Sequence, residues 1–86
     1  MEKAIADVLM DLRRYQEALQ AYVEIIQVDS TAATAYLGAG DAAWELGKIH
    51  AAERYYLNCL DRFGRDGAPA RLLERIPAKS ASSSKN

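Results

Sequence analysis

Few residues in this chain have side chains that could do chemistry. Asp7, Asp11, Asp41 and Glu45 are carboxylates at matched places, since a shift of 34 residues lays Asp7 on Asp41 and Asp11 on Glu45. Paired carboxylates divide acid and base roles only where their surroundings push their pKa values apart. Nothing near these four supplies a nucleophile, a base and an orienting partner together. Cys59 is the sole cysteine and His50 the sole histidine. One cysteine forms no internal disulfide, and the two residues fall short of the four ligands that a structural zinc site usually takes. Cys59 stands at an apolar position of a helical pattern, where a thiol behaves as a small hydrophobe, and His50 lies near a helix start beside Lys48, at the surface. The chain is read as a non-enzyme, with no cofactor and no metal.

Composition narrows the partners. Lys and Arg number 11 against 12 Asp and Glu, and the net charge of −1 gives no field that would draw the chain to nucleic acid or anionic lipid. No apolar run approaches the roughly 18 residues of a membrane span, and Glu2 and Asp7 interrupt anything resembling a basic and then apolar leader. A cytoplasmic setting is the expectation. The 86 residues allow one small domain, burying about 60–65% of the surface exposed by its unfolded chain, so stability is expected to be modest. Half the residues are hydrophobic and many are Ala, which suits short, closely packed helices and predicts an all-α fold.

The elements that would position these residues are set by the internal repeat. The same offset of 34 pairs Leu12 with Leu46, Ala18 with Ala52 and Tyr22 with Tyr56, and matches Arg14 to Lys48, Val23 to Leu57 and Ile26 to Leu60. In the second unit Tyr36, Ala39, Gly40 and Ala43 recur at helical steps, Gly47 interrupts, and Ile49, Ala52, Tyr56, Cys59, Leu60 and Phe63 resume the period. The spacing predicts two antiparallel helices ended by left-handed glycines, Gly47 and Gly64. Ser30 and Thr31 offer an N-cap for the second unit. Gly40 and Ala52 allow close crossing of the pair, while Tyr56 has the bulk to fill the space towards the following helix; Ala6, Ala18 and Tyr22 repeat the arrangement in the first unit. Residues 65–67 read as a connector and residues 68–76 as a short amphipathic helix with Leu72, Leu73 and Ile76 on one face. Pro77 ends it, and the remainder, with its serines, is too polar to order itself. The expected organisation is a domain over 1–76 (repeat one 1–32, repeat two 33–66, a capping helix 68–76) and a disordered tail over 77–86.

In the second unit Tyr36, Gly40, Gly47, Ala52 and Tyr56, and in the first Ala6, Tyr15, Ala18 and Tyr22, stand where the tetratricopeptide repeat has its aromatic, small and turn residues, and the chain resembles that family over residues 1–76. Arg13 replaces the turn glycine, Ser30 and Gly64 stand where Pro is common, and Ala43 takes an aromatic's place. The resemblance implies a right-handed stack of antiparallel helix pairs, about five helices in all. It also implies that the first helices of successive units line a concave groove that holds partner segments.

On that basis the groove positions are Lys3, Asp7, Met10 and Asp11 in the first unit and Thr34, Leu37, Asp41, Trp44 and Glu45 in the second. Four carboxylates around Met10, Leu37 and Trp44 would favour a basic or amphipathic protein segment, with Trp44 as the anchor. Plainer readings stay open beside this one: a solvated face for the acids, and packing between units for Trp44. The basic clamp with which some family members hold acidic chain ends is not matched. Lys3 fits one of its positions, but Asp7, Gly38, Ala68 and Leu72 depart from the others.

The expected function is that of a protein-binding module acting as adaptor, scaffold or chaperone. The alternative is self-association, or a place in a longer array, through Ile5, Val8, Leu9 and Leu12 on a first helix spanning residues 2–12. The first unit begins two residues short of a full repeat, which suits truncation or an unusual start.

Overall fold

A computed structural model describes residues 3–64 and 68–76. Among these residues there are five helices and no strand: α1 (Lys3–Asp11), α2 (Tyr15–Val28), α3 (Ala33–Glu45), α4 (Ile49–Phe63) and α5 (Ala70–Arg75). The connector at 65–67 and the tail at 77–86 lie outside the described residues. So does the side chain of Lys3.

Helix α3 is the centre of the molecule, packed between α2 and α4, with α1 closing on α2. A helix covered on several sides needs small or apolar residues around most of its circumference. In α3, Ala35, Gly38, Ala39, Gly40, Ala42 and Ala43 are all buried. Two of these glycines allow the approach. A methyl group at Gly38 would overlap the Tyr22 ring, and one at Gly40 would overlap the Tyr56 ring. Tyr22 therefore packs across the boundary between units. Tyr56 packs within its own pair against Gly40 and also clusters with Leu72 and Ile76 of the following segment, where its hydroxyl accepts from Arg75.

Two apolar clusters result. The first joins Ala6, Ala18, Ala21 and Tyr22 to Ala35, Ala39 and Ala42. The second joins Tyr36, Ala43, Ala52, Tyr56 and Cys59 to Leu72 and Ile76. Helix α5 is shorter than the expected 68–76: Ile76 lies just beyond it, and Leu73, expected on the apolar face with Leu72, is 36% exposed where Leu72 is fully buried.

The turns inside the two units share one hydrogen-bond pattern. In the first, Leu12 N–H donates to Val8 O (3.0 Å), Arg13 to Met10 O (3.0 Å) and Arg14 to Leu9 O (2.8 Å). In the second, Leu46 donates to Ala42 O (3.1 Å), Gly47 to Trp44 O (3.0 Å) and Lys48 to Ala43 O (2.9 Å). Gly47 has φ of 79°, and Arg13 takes the same left-handed conformation at 62°. That conformation costs a residue with a Cβ roughly 1–2 kcal/mol, so the first turn keeps its geometry at the expense of strain.

The link between units departs from expectation. The residue capping α3 is Ala32, with no side-chain cap bond. Thr31 instead turns back, donating its N–H (3.0 Å) and its hydroxyl to the Asp29 carboxylate. An Asp two residues ahead organises a turn through its own carboxylate, and these bonds hold the Asp29 pKa below the usual carboxylate value.

Candidate functional site

Each unit pins its two helices together with an acid from the first and a phenol from the second. The Tyr22 hydroxyl donates to Asp7, and the Tyr56 hydroxyl donates to Asp41 at 2.6 Å. Burial raises both phenol pKa values well above the ordinary 10.0, and the hydrogen bond to a carboxylate raises them further. At Tyr56 the nearby Arg75 pulls the other way.

In the second unit the pin extends into a cluster. Arg71 of α5 donates to both Asp41 oxygens, from Nη2 at 2.7 Å and from Nε at 3.2 Å. Arg75 donates from Nη1 to Asp41 Oδ1 (3.2 Å) and to the Tyr56 hydroxyl (2.9 Å), and its guanidinium lies 4.8 Å from the centre of the Trp44 ring. The Asp41 side chain is only 13% exposed. Its hydrogen bonds push the Arg71 pKa up. The arrangement is that of a positioned carboxylate and an aromatic face holding guanidinium groups.

The family pattern of the tetratricopeptide repeat matches residues 4–31 and again residues 33–63. The chain belongs to the tetratricopeptide repeat family. No curated protein and no solved structure matches it. Tetratricopeptide repeats are non-catalytic modules that generally mediate protein–protein interaction.

Of the groove positions named from the sequence, Asp7, Asp11, Thr34 and Glu45 are exposed, while Met10, Leu37 and Trp44 are half-buried. Met10 leans on the first cluster, and Leu37 and Trp44 lean on the second. Trp44 thus packs against the core on one side and carries Arg75 on another. Asp41 is drawn into the cluster with Arg71 and Arg75, so its charge is engaged within the tetratricopeptide stack. Sequence reasoning missed these two arginines. The repeat offset carries Leu37 to Arg71 and Asp41 to Arg75, so the same register would have placed them beside the groove.

The proposed self-association face divides. Ile5, Val8 and Leu12 are 49%, 53% and 60% exposed. Leu9 turns inward onto the first cluster, because it lies on the side of α1 that meets the body of the stack. Cys59 is buried, and burial raises its thiol pKa. His50 projects into solvent with Nδ1 3.9 Å from Glu53. Among the described residues no group of His, Cys, Asp and Glu could hold a metal ion, and no helix is long and apolar enough to cross a membrane.

Proposed function

We propose that this tetratricopeptide module acts as an adaptor, scaffold or chaperone, holding a basic or amphipathic segment of a partner protein along the groove lined by α1 and α3. The observation that carries this reading is the Trp44 ring, partly exposed and already in contact with a guanidinium. Leu37 and Met10 add apolar contact area, and the exposed acids Asp7, Asp11 and Glu45 favour a basic segment over an acidic one. Asp41 contributes by holding α5 in place, so the selecting charge comes from the other three acids.

The test is affinity capture from a lysate of the source organism, comparing wild type with Asp7→Lys plus Asp11→Lys. Both positions are exposed, and helical content and melting would establish that the variant is folded. A protein retained by wild type and lost by the variant supports groove binding. Equal capture by both overturns it.

A second reading has its own support. The offset carries Ile5 and Val8 to Ala39 and Ala42, both fully buried because another helix pair packs there. The same face of α1 therefore suits a further helix pair or a second copy. A mass that rises with concentration and returns to that of the monomer in Val8→Asp would favour it.

A further inference from the structure

The most specific recognition in this molecule is made to α5. Over residues 71–76 the order is Arg, Leu, Leu, Glu, Arg, Ile. Arg71 and Arg75 are one helical turn apart and grip Asp41, with Arg75 also on Tyr56 and Trp44. Leu72 and Ile76, also four residues apart, are buried in the second cluster. Charge and apolar contact are thus read together, from adjacent sides of one short helix.

That helix cannot sustain itself. Six residues fall well below the roughly 12–15 at which an isolated helix becomes even marginal in water. No side chain caps its start, and its backbone approaches the other helices only sparsely, so side chains provide most of its attachment. Its seat has the opposite character. Asp41 and Trp44 lie on α3 and Tyr56 on α4, two helices that pack closely on one another through Gly40 and Tyr56, a contact to which α5 contributes no residue. The seat is a property of the repeat; the occupant is a separable piece.

We propose that the seat formed by Asp41, Trp44 and Tyr56 is a recognition site for a short amphipathic helix of a partner protein bearing arginine, an apolar residue, any two residues, arginine and an apolar residue in that order, and that α5 is its resident occupant, displaced when such a partner binds. The proposal deepens the groove reading and rests on it for the existence of a partner, while its own test needs none. Because α5 is tethered, it competes at a high effective concentration. The apparent affinity of any rival is reduced by the fraction of time for which the seat is open.

The probe is a fluorescent peptide with the sequence of residues 68–76, titrated by anisotropy into the full chain. In Arg71→Glu plus Arg75→Glu the resident helix is repelled by Asp41, and the peptide is expected to bind at least about tenfold more tightly than to wild type. Adding Asp41→Asn to that background should remove most of the gain, and a peptide with both arginines changed to Glu should not bind. If the doubly substituted chain is folded and binds no more tightly than wild type, the proposal is overturned. Hydrogen exchange on unaltered protein gives an independent reading. The α5 amides should exchange much faster than those in the middle of α3 and α4; equal protection would mean that α5 leaves only on global unfolding, and would also overturn it. A wild-type dimer that the peptide dissolves would assign the seat to α5 of a second copy and overturn the choice of a separate partner. Failure of the titration leaves capture through Asp7 and Asp11 untouched, and failure of capture leaves the titration untouched, so the two readings fall separately.

Discussion

The two units carry the same acid and the same tyrosine in the same register, yet use them differently. In the first, Asp7 takes the Tyr22 hydroxyl and stays on an exposed face. In the second, Asp41 takes the Tyr56 hydroxyl and is drawn in by two arginines from the next helix. The difference lies in the helix that comes after each unit. At the places where α5 presents Arg71 and Arg75, α3 presents Leu37 and Asp41. Asp41 lies near enough to Tyr22 to add to its raised pKa, while Asp41 itself is held by the cations of α5. A repeat can preserve a contact within each unit and still change its purpose through the neighbouring helix.

The largest expected effect breaks this comparison directly. Asp41→Lys sets a third cation against Arg71 and Arg75 and should cost about 3 kcal/mol at most, since 47% of the Arg71 side chain already meets water. Asp7→Lys removes the bond from Tyr22 on an exposed face and should cost less, about 1–2 kcal/mol. Urea midpoints would rank them, and equal losses would mean that the two acids are held alike. Next, Gly38→Ala and Gly40→Ala press a methyl into the Tyr22 and Tyr56 rings. Each is expected to lose about 2 kcal/mol by overpacking, partly offset by the better helix propensity of Ala. A silent Gly38→Ala would show that the boundary between units is looser than the pair within a unit.

The turns sharpen the contrast on a smaller scale. Arg13→Gly should stabilise by about 1 kcal/mol and Gly47→Ala should destabilise by a similar amount, measured by the same denaturation, because both positions hold positive φ. The smallest effect is on pH dependence. Tyr22 and Tyr56 keep their protons in the fold beyond the pH at which the unfolded chain releases them, so above about pH 10 the unfolded state binds fewer protons and stability falls as pH rises. Tyr22→Phe should flatten the decline in Tm above about pH 10 at least as much as Tyr56→Phe, because Arg75 opposes the shift only at Tyr56. A decline unchanged in both variants would remove the phenols as its cause.

Much of this was legible because it is local or periodic. The pairing of Ala18 with Ala52 and Tyr22 with Tyr56, with the break at Gly47, suffices for two helix pairs and for the family. The cap of α3 was not legible, because Ser30, Thr31 and Asp29 are all competent capping or turn residues and their competition was decided by the route of the chain between units. Leu9 was misplaced for a related reason: apolar spacing finds a helix but does not say which of its edges meets the body of the stack. Of the candidate groove, the sequence indicated which residues share a register, and it left open which of them are engaged inside the fold.

The sequence by itself determined the helix pairs, their turns and the repeat, since these depend on apolar period, glycine conformation and residues close along the chain. Only the tertiary structure decided that Asp41 serves α5. That bond joins residues 30 and 34 positions apart, and which cation reaches a given carboxylate depends on how closely α5 seats against α3. The packing of Leu72 and Ile76 holds it there, and no spacing along the chain expresses that distance.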